Sequence, residues 1–196
     1  MKDVRITNSD SGIIIETSKN VTVQDVVIDG RGGHYALMTA DSDQILFRDF
    51  QSYSRTCHDL SFNTAARTVV YTHGRVNAAS FDQHNGMNHQ NLMDDLDVFG
   101  EVRDLWVHGG SYSGRPTHGA FNTFWNLRFS PAGQVPVQGT SIEDGPNAYM
   151  IGLSSDAMLM FTYGPDAYTE GLGRRDLAVP SLYEYQLSRR TSGATE

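Results

Sequence analysis

Residues 81–95, FDQHNGMNHQNLMDD, concentrate side chains that can carry chemistry. The stretch holds His84 and His89, and Asp82 lies two residues before His84. Its asparagines and glycine favour a strand followed by a turn rather than a helix. In a strand, Asp82 and His84 point to the same side. A carboxylate and an imidazole in that arrangement suit acid–base catalysis or metal binding.

The elements that position this pair belong to an internal repeat of about 24 residues. Each copy has a short apolar strand, a polar turn and a second, alternating strand that follows a polar residue. That polar residue is predicted at Asn20, Gln44, Thr68, Asn91 and, after an insertion at residues 99–117, Asn126. Apolar residues show no helical spacing, which argues against helical repeats, and one motif at constant spacing argues against a sandwich. The repeat predicts a parallel β-helix.

Stacked rungs predict ladders of equivalent side chains, because neighbouring strands lie about 4.8 Å apart. The apolar ladders are predicted as Val21/Ile45/Val69/Leu92/Leu127 and Val23/Phe47/Tyr71, with Phe129 later. The residues between core-facing positions then face solvent. The polar face predicted in this way carries Asp59, Ser61, Asn63, Asp82, His84, His118 and Asn122.

The rung NVTVQDVVIDG resembles those of right-handed parallel β-helix proteins of the pectate-lyase-like superfamily. HGAFNTFWNLRF and the closing VPSLYEYQLSRR resemble the end of a poorly characterised bacterial group associated with polysaccharide degradation. In that group a D-x-H segment similar to Asp82–His84 precedes an Asn-Leu-aromatic strand start, whereas Met93 stands in the aromatic position here. The resemblance implies an all-β solenoid, a carbohydrate context and a secreted or periplasmic location. It implies no particular reaction, because the superfamily includes lyases, glycoside hydrolases, epimerases, esterases and phage tailspikes.

The domain organisation predicted is a single domain with an irregular end. Residues 1–130 form the β-helix rungs, and residues 131–196 form the last strands, a long loop and a C-terminal capping tail. Ser181 is predicted to cap a helix whose Leu182, Tyr185 and Leu187 pack down. The tail is expected to cover the open end of the solenoid. The abrupt strand-like start predicts that the chain is part of a longer protein.

The amino-acid composition limits the kinds of molecule that the chain is expected to bind. Fifteen Lys and Arg residues against 23 Asp and Glu residues give a net charge of −8, which disfavours nucleic-acid binding. No apolar run reaches the roughly 18 residues of a membrane span, so no membrane partner is expected. Only Lys2 and Lys19 are lysines, so positive charge is mostly arginine, which suits bidentate recognition of carboxylates. Cys57 is the single cysteine, and neighbours in a strand point to opposite faces, which separates its thiol from His58.

The resemblance, together with the polar face and the nearby aromatic residues, predicts a carbohydrate-active enzyme that cleaves a polysaccharide in a groove on the β-helix face. The catalytic candidates are Asp82, His84, Asp59 and His118, and the substrate-binding candidates are Arg115, Asn63, Asn122, Trp106 and Tyr112. Carboxylates on adjacent rungs suit a glycoside hydrolase. An imidazole base with Arg115 or Arg55 neutralising a uronate suits a polysaccharide lyase.

The sequence is also compatible with other functions. A non-catalytic carbohydrate-binding or structural module is an alternative, because no specific catalytic signature is present. An epimerase would use the same base and cation without breaking the polymer. No cofactor is predicted, although carboxylates can hold calcium and a mixed set can hold zinc or manganese. That mixed set is Asp82, His84, His89, Asp94 and Asp95.

Overall fold

The computed structural model describes residues 1–84, 86–101, 119–131, 137–139, 145–161 and 166–193. In these residues the chain forms an all-parallel β-solenoid of about 5 turns, with one short helix near the C-terminus. The predicted all-β parallel β-helix is therefore confirmed. The helix of the described part is too short and too polar to cross a membrane.

Two parallel sheets form the sides of the solenoid. The larger sheet contains β1 (Lys2–Thr7), β3 (Lys19–Asp29), β5 (Asp43–Ser52), β7 (Val70–Asn77), β9 (Leu92–Gly100), β10 (Thr123–Pro131), β12 (Tyr149–Ile151), β13 (Ser154–Ser155) and β15 (Tyr168–Glu170). The second sheet contains β2 (Ser11–Glu16), β4 (Tyr35–Ala40), β6 (His58–Asn63) and β8 (Phe81–Gln83). A short pair joins β11 (Val137–Gly139) and β14 (Leu159–Phe161), and helix α1 spans Leu182–Ser192.

Two corners with positive φ recur in successive turns of the larger sheet, five residues apart. The first corner is formed by Asn20, Gln44, Thr68, Gln90, Phe121 and Asn147, and the second by Asp25, Asp49, His73, Asp95, Asn126 and Gly152. Glycine adopts this conformation freely, and Asn, Asp and His tolerate it better than other residues do. The polar residues of the second corner are therefore accounted for by the backbone that they must adopt.

The inward-facing ladders confirm the predicted repeat in the early turns. The pairs that match are Val21 with Ile45, Val23 with Phe47 and Phe47 with Tyr71. The rings of Phe47 and Tyr71 stack with centroids 4.8 Å apart. Such a pair stabilises the core by about 0.5–1.5 kcal/mol beyond the area it buries.

The later ladders are wrong, because the two corners favour the same residue types. Leu92 pairs with Val70, and Leu127 pairs with Leu96 rather than with Leu92. Gln90 and Phe121 therefore stand at the first corner, where the repeat predicts Asn91 and Asn126, and Asn126 stands at the second corner. An asparagine fits either left-handed corner, so its identity cannot tell which corner it occupies.

Helix α1 is confirmed, but it lies beside the larger sheet rather than over the end of the solenoid. Ser181 caps it as predicted, since its Oγ accepts a hydrogen bond from the Glu184 N–H at 3.1 Å. Tyr185 and Leu187 are 48% and 37% exposed, so they do not pack down. Strand β15 pairs with β12 and is the last strand of the larger sheet, on the side formed by the C-terminal part of the chain.

Gly74 in β7 occupies a position with no room for a side chain. An added Cβ would lie 2.1 Å from Cζ of Phe50, which is only 2% exposed. We expect Gly74→Ala to lower the free energy of unfolding by about 1–3 kcal/mol, as overpacking does. Gly193→Ala is the matched control, because nothing lies within 4 Å of its Cβ position. Equal urea midpoints for the two variants would contradict this expectation.

Candidate functional site

A row of three histidines runs along the second sheet, and we call it the histidine row: His34, His58 and His84. His34 precedes β4, His58 begins β6, and His84 follows β8. The ring centroids of His34 and His58 are 5.2 Å apart, and those of His58 and His84 are 5.9 Å apart. Three successive turns of the solenoid therefore each contribute one imidazole to the same surface.

Asp82 lies beneath this row and organises it. The carboxylate is fully buried, and its Oδ2 lies 2.5 Å from His84 Nδ1 and 2.6 Å from Ser61 Oγ. His58 Nδ1 lies 4.0 Å from the same oxygen. With Asp82 ionised, His84 donates its Nδ1–H, which leaves Nε2 as the acceptor. This is the tautomer that a general base requires.

The charge state of Asp82 follows from its neighbours. Burial raises the pKa of this carboxyl, but the His84 hydrogen bond, the charges of His58 and His84, and the Ser61 hydroxyl together hold the pKa below its ordinary value of 3.8. Asp82 is therefore ionised at neutral pH. The side chains of His84 and His58 are 14% and 12% exposed, so both imidazoles reach the surface above a buried negative charge.

Asp59 does not join this arrangement as predicted. The register pairs Ser61 with Asp82, so Asp59 lies two residues earlier, opposite Ser80. Asp59 is fully buried, and it accepts hydrogen bonds from Thr56 Oγ1 at 2.6 Å and from the Ser80 N–H at 2.9 Å. The expectation of two solvent-facing carboxylates side by side is wrong, because Asp82 is also fully buried and Asp59 holds the chain where it enters β6.

The two asparagines predicted to face solvent are also buried. Asn63 is 8% exposed, and its Oδ1 lies 2.7 Å from Ser61 Oγ. Asn122 is fully buried, accepts from the Asn91 N–H at 2.8 Å and donates to Gln83 Oε1 at 2.8 Å. That expectation is wrong because stacked rungs let polar side chains satisfy one another, so an outward direction does not ensure contact with water.

The remaining site candidates, His118, Arg115, Trp106 and Tyr112, lie outside the described residues. Glu101 and Gly119, which lie near the two ends of the insertion, contact residues in or beside the second sheet. At one end Glu101 forms an ion pair with Arg55, which lies just before β6. At the other end the Gly119 N–H donates to Asn88 O at 2.7 Å, and Gly119 lies against the Gln83 side chain. Both ends of the insertion are thus anchored near β6 and β8.

The mixed metal-ligand set considered from the sequence does not converge among the described residues. Asp94 lies under helix α1, where it accepts from Ser181 Oγ at 2.5 Å. Asp95 binds Arg128 Nη1 at 2.5 Å, at the second corner of the larger sheet. These two carboxylates therefore have structural partners away from Asp82.

A different cluster forms on the second sheet: the donor atoms of His34, Cys57 and His58 all lie within 4.8 Å of one another. Cys57 Sγ is 3.8 Å from His58 Nε2. The predicted separation of these two side chains is wrong, because Cys57 lies in the turn before β6, where strand alternation does not yet apply. No spacing motif in the sequence signals this cluster, since His34 comes from the preceding turn.

A polar cleft of about 390 Å³ follows the second corner, and sequence reasoning missed it. Its lining includes Asp49, His73, Asp95, Asp97 and Arg128. Arg128 binds Asp97 at 2.6 Å as well as Asp95, and although burial lowers the pKa of its guanidinium, these two carboxylates raise it overall. The sequence signal for this cleft is the recurrence of Asp or His at four successive second corners, Asp25, Asp49, His73 and Asp95. The backbone explains that recurrence, so the cleft is a weaker functional candidate than the histidine row.

No family model, curated protein or solved structure matches this chain. The class that the fold and the site define is a parallel β-solenoid with a buried Asp–His pair opening on the second sheet. Functional interpretation therefore depends on the geometry of that pair and of the histidine row.

Proposed function

We propose that the chain is a carbohydrate-active enzyme that cleaves a polysaccharide, with His84 as its general base. The observation that carries the proposal is the 2.5 Å contact between His84 Nδ1 and a buried, ionised Asp82. The carboxylate fixes the orientation and tautomer of the imidazole, as a base that must abstract a proton requires.

The geometry favours β-elimination over hydrolysis. Glycoside hydrolases use two carboxyl groups on either side of the scissile bond. Asp59 is buried and bonded to Thr56 of its own turn and to the Ser80 N–H of the next turn, which leaves Asp82 with His84 as the working pair. In β-elimination, His84 Nε2 would take the proton from C5 of a uronate. The C4–O bond then breaks, a C4=C5 double bond forms, and the departing sugar oxygen receives a proton.

A uronate substrate needs a cation beside its carboxylate. Arginine supplies almost all of the positive charge of this chain, and Arg115 in the insertion is the residue proposed for that contact. This chemistry and the solenoid together support a proposed relationship to the right-handed pectate-lyase-like proteins. A secreted or periplasmic location belongs to the same proposal.

The test is cleavage of a panel of uronate-containing and neutral polysaccharides. Ultraviolet absorbance of the unsaturated product and new reducing ends are followed together. We expect both signals on a uronate polymer, and His84→Ala should lower the rate by about 10²–10⁴-fold. His89→Ala is the control, because His89 contacts Gln90 and lies away from Asp82.

Any other result of this experiment would indicate a different function for the chain. Reducing ends without absorbance would replace β-elimination by hydrolysis. Altered sugar stereochemistry in NMR spectra, without chain breaks, would indicate an epimerase. Binding without turnover on the whole panel would contradict catalysis and favour a carbohydrate-binding module.

A further inference from the structure

We propose that His34, Cys57 and His58 form a zinc site beside the Asp82–His84 pair. This site is separate from the proposed general base, because none of its three ligands is used there. Each ligand comes from the edge of the second sheet, where the chain enters β4 or β6. The inference therefore adds a metal to the same surface and does not depend on polysaccharide cleavage.

Backbone hydrogen bonds hold the three residues in adjacent turns. The Cys57 N–H donates to Gly33 O at 2.9 Å, and the His58 N–H donates to His34 O at 2.8 Å. The ring of Tyr35 stacks on His34 with centroids 4.2 Å apart and restricts its rotation. His34 and Cys57 lie in the turns that lead into β4 and β6, and these hydrogen bonds between adjacent turns set the positions of the ligands.

The distances suit a tetrahedral ion. Zinc binds histidine nitrogen at about 2.0–2.1 Å and thiolate sulfur at about 2.3 Å, which places ligand atoms about 3.3–3.6 Å apart. Cys57 Sγ and His58 Nε2 are 3.8 Å apart, and all three donor atoms lie within 4.8 Å of one another. Small rotations of the side chains would complete the site.

His58 is oriented as a zinc ligand should be. Its Nε2 faces the Cys57 thiol, and its Nδ1 faces the Asp82 carboxylate at 4.0 Å. A carboxylate behind a ligating histidine fixes the ring and makes the nitrogen more basic. Asp82 would thereby link the metal to His84.

The donor set selects the class of metal. Two imidazoles and one thiolate suit zinc, whereas calcium and magnesium require oxygen ligands. His34 and Cys57 are exposed, so an ion can reach them and the fourth position remains open to water or a substrate oxygen. On binding, the thiol releases one proton and its sulfur bonds to the metal, so zinc affinity should rise with pH.

Cobalt(II) is the probe for the ligand identities. The full chain is reduced, stripped with a chelator and titrated with Co²⁺, and Zn²⁺ is then added in competition. We expect one equivalent of Co²⁺, a thiolate-to-cobalt charge-transfer band, and its loss on adding Zn²⁺. Cys57→Ser should abolish the band, and His34→Ala should weaken zinc binding at least about tenfold. His73→Ala, on the larger sheet, should leave both unchanged.

Protection of Cys57 tests the site without any substitution. Cys57 is the single thiol of the chain, so mass spectrometry reports its alkylation directly. One equivalent of Zn²⁺ should slow alkylation in the wild type, and calcium should not. Absence of stoichiometric zinc binding, a charge-transfer band that survives Cys57→Ser, or unprotected alkylation would overturn the site. None of these measurements uses a polysaccharide, so their failure is distinguishable from failure of the proposed enzyme.

Discussion

Replacing Asp82 with asparagine is expected to lower turnover on a cleavable polysaccharide by about 10³–10⁴-fold. The Asp82 carboxylate accepts the Nδ1–H of His84 at 2.5 Å and so leaves Nε2 unprotonated. An asparagine can turn its NH₂ group toward Nδ1, which moves the ring proton to Nε2 and removes the base. The chemical step is lost while substrate contacts remain, so kcat should fall much more than KM changes.

Asp94→Asn is the matched control for that experiment. Asp94 is another fully buried aspartate with side-chain hydroxyl partners, but it lies on the larger sheet under helix α1. Its amide variant should retain most of the polysaccharide turnover. Comparable losses in Asp82→Asn and Asp94→Asn would show that buried aspartates act through stability alone, and the base assignment would fail.

Removing the Asp94 carboxylate should release helix α1 from the solenoid. Asp94 accepts from Ser181 Oγ at 2.5 Å, from the Leu182 N–H at 2.8 Å and from Thr72 Oγ1 at 2.8 Å. A carboxylate at a helix N-terminus satisfies N–H groups that have no partner within the helix. Its 11 residues are too few for a stable isolated helix in water, so a detached α1 should unfold.

The expected cost of Asp94→Ala is about 1–3 kcal/mol in the free energy of unfolding, because the buried Thr72 hydroxyl also loses its acceptor. Urea denaturation measures this cost. Trypsin should cut faster at Arg189 and Arg190 in the variant, because both follow the anchored turn. Asp156→Ala is the control, since Asp156 contacts Arg175 at an exposed position. Unchanged trypsin cleavage in Asp94→Ala would contradict the anchoring role.

The contribution of Asp94 to the stability of the fold should change with pH in a direction that follows from its pKa. Burial raises the pKa of Asp94, and the hydrogen bonds from Ser181, Thr72 and the helix N–H groups offset it only in part. A folded-state pKa above the ordinary 3.8 means that the fold favours the protonated acid. The resulting stability is present below pH 3.8 and is lost as the pH rises through the folded-state pKa.

The wild type should therefore gain stability relative to Asp94→Asn as the pH falls from neutral toward 4. Both proteins keep Asp82, so its titration cancels in the difference. Urea unfolding of the two proteins across this range measures the relative stability. A relative stability that falls on acidification would show that the helix stabilises the charged form of Asp94 instead.

Local periodicity accounts for what could be predicted. A strand repeat of about 24 residues can bury its apolar side only by stacking, so the solenoid followed from the sequence. The helix cap at Ser181 and the contact of Asp82 with His84 depend on residues two to three positions apart. The structure contains both, although Asp82 is buried where the strand pattern predicts a solvent-facing side chain.

Contacts between turns depended on the register, which local patterns do not determine. A slip of one residue moves a side chain to the other face of a strand, and the two left-handed corners accept the same residues. The burial of Asp59 and Asn122, the approach of Cys57 to His34, and the capping of α1 by Asp94 all arise between turns. The sequence alone thus led to the solenoid and to the Asp82–His84 pair. Only the tertiary structure decided which polar residues meet water, because that depends on what the neighbouring turn places against them.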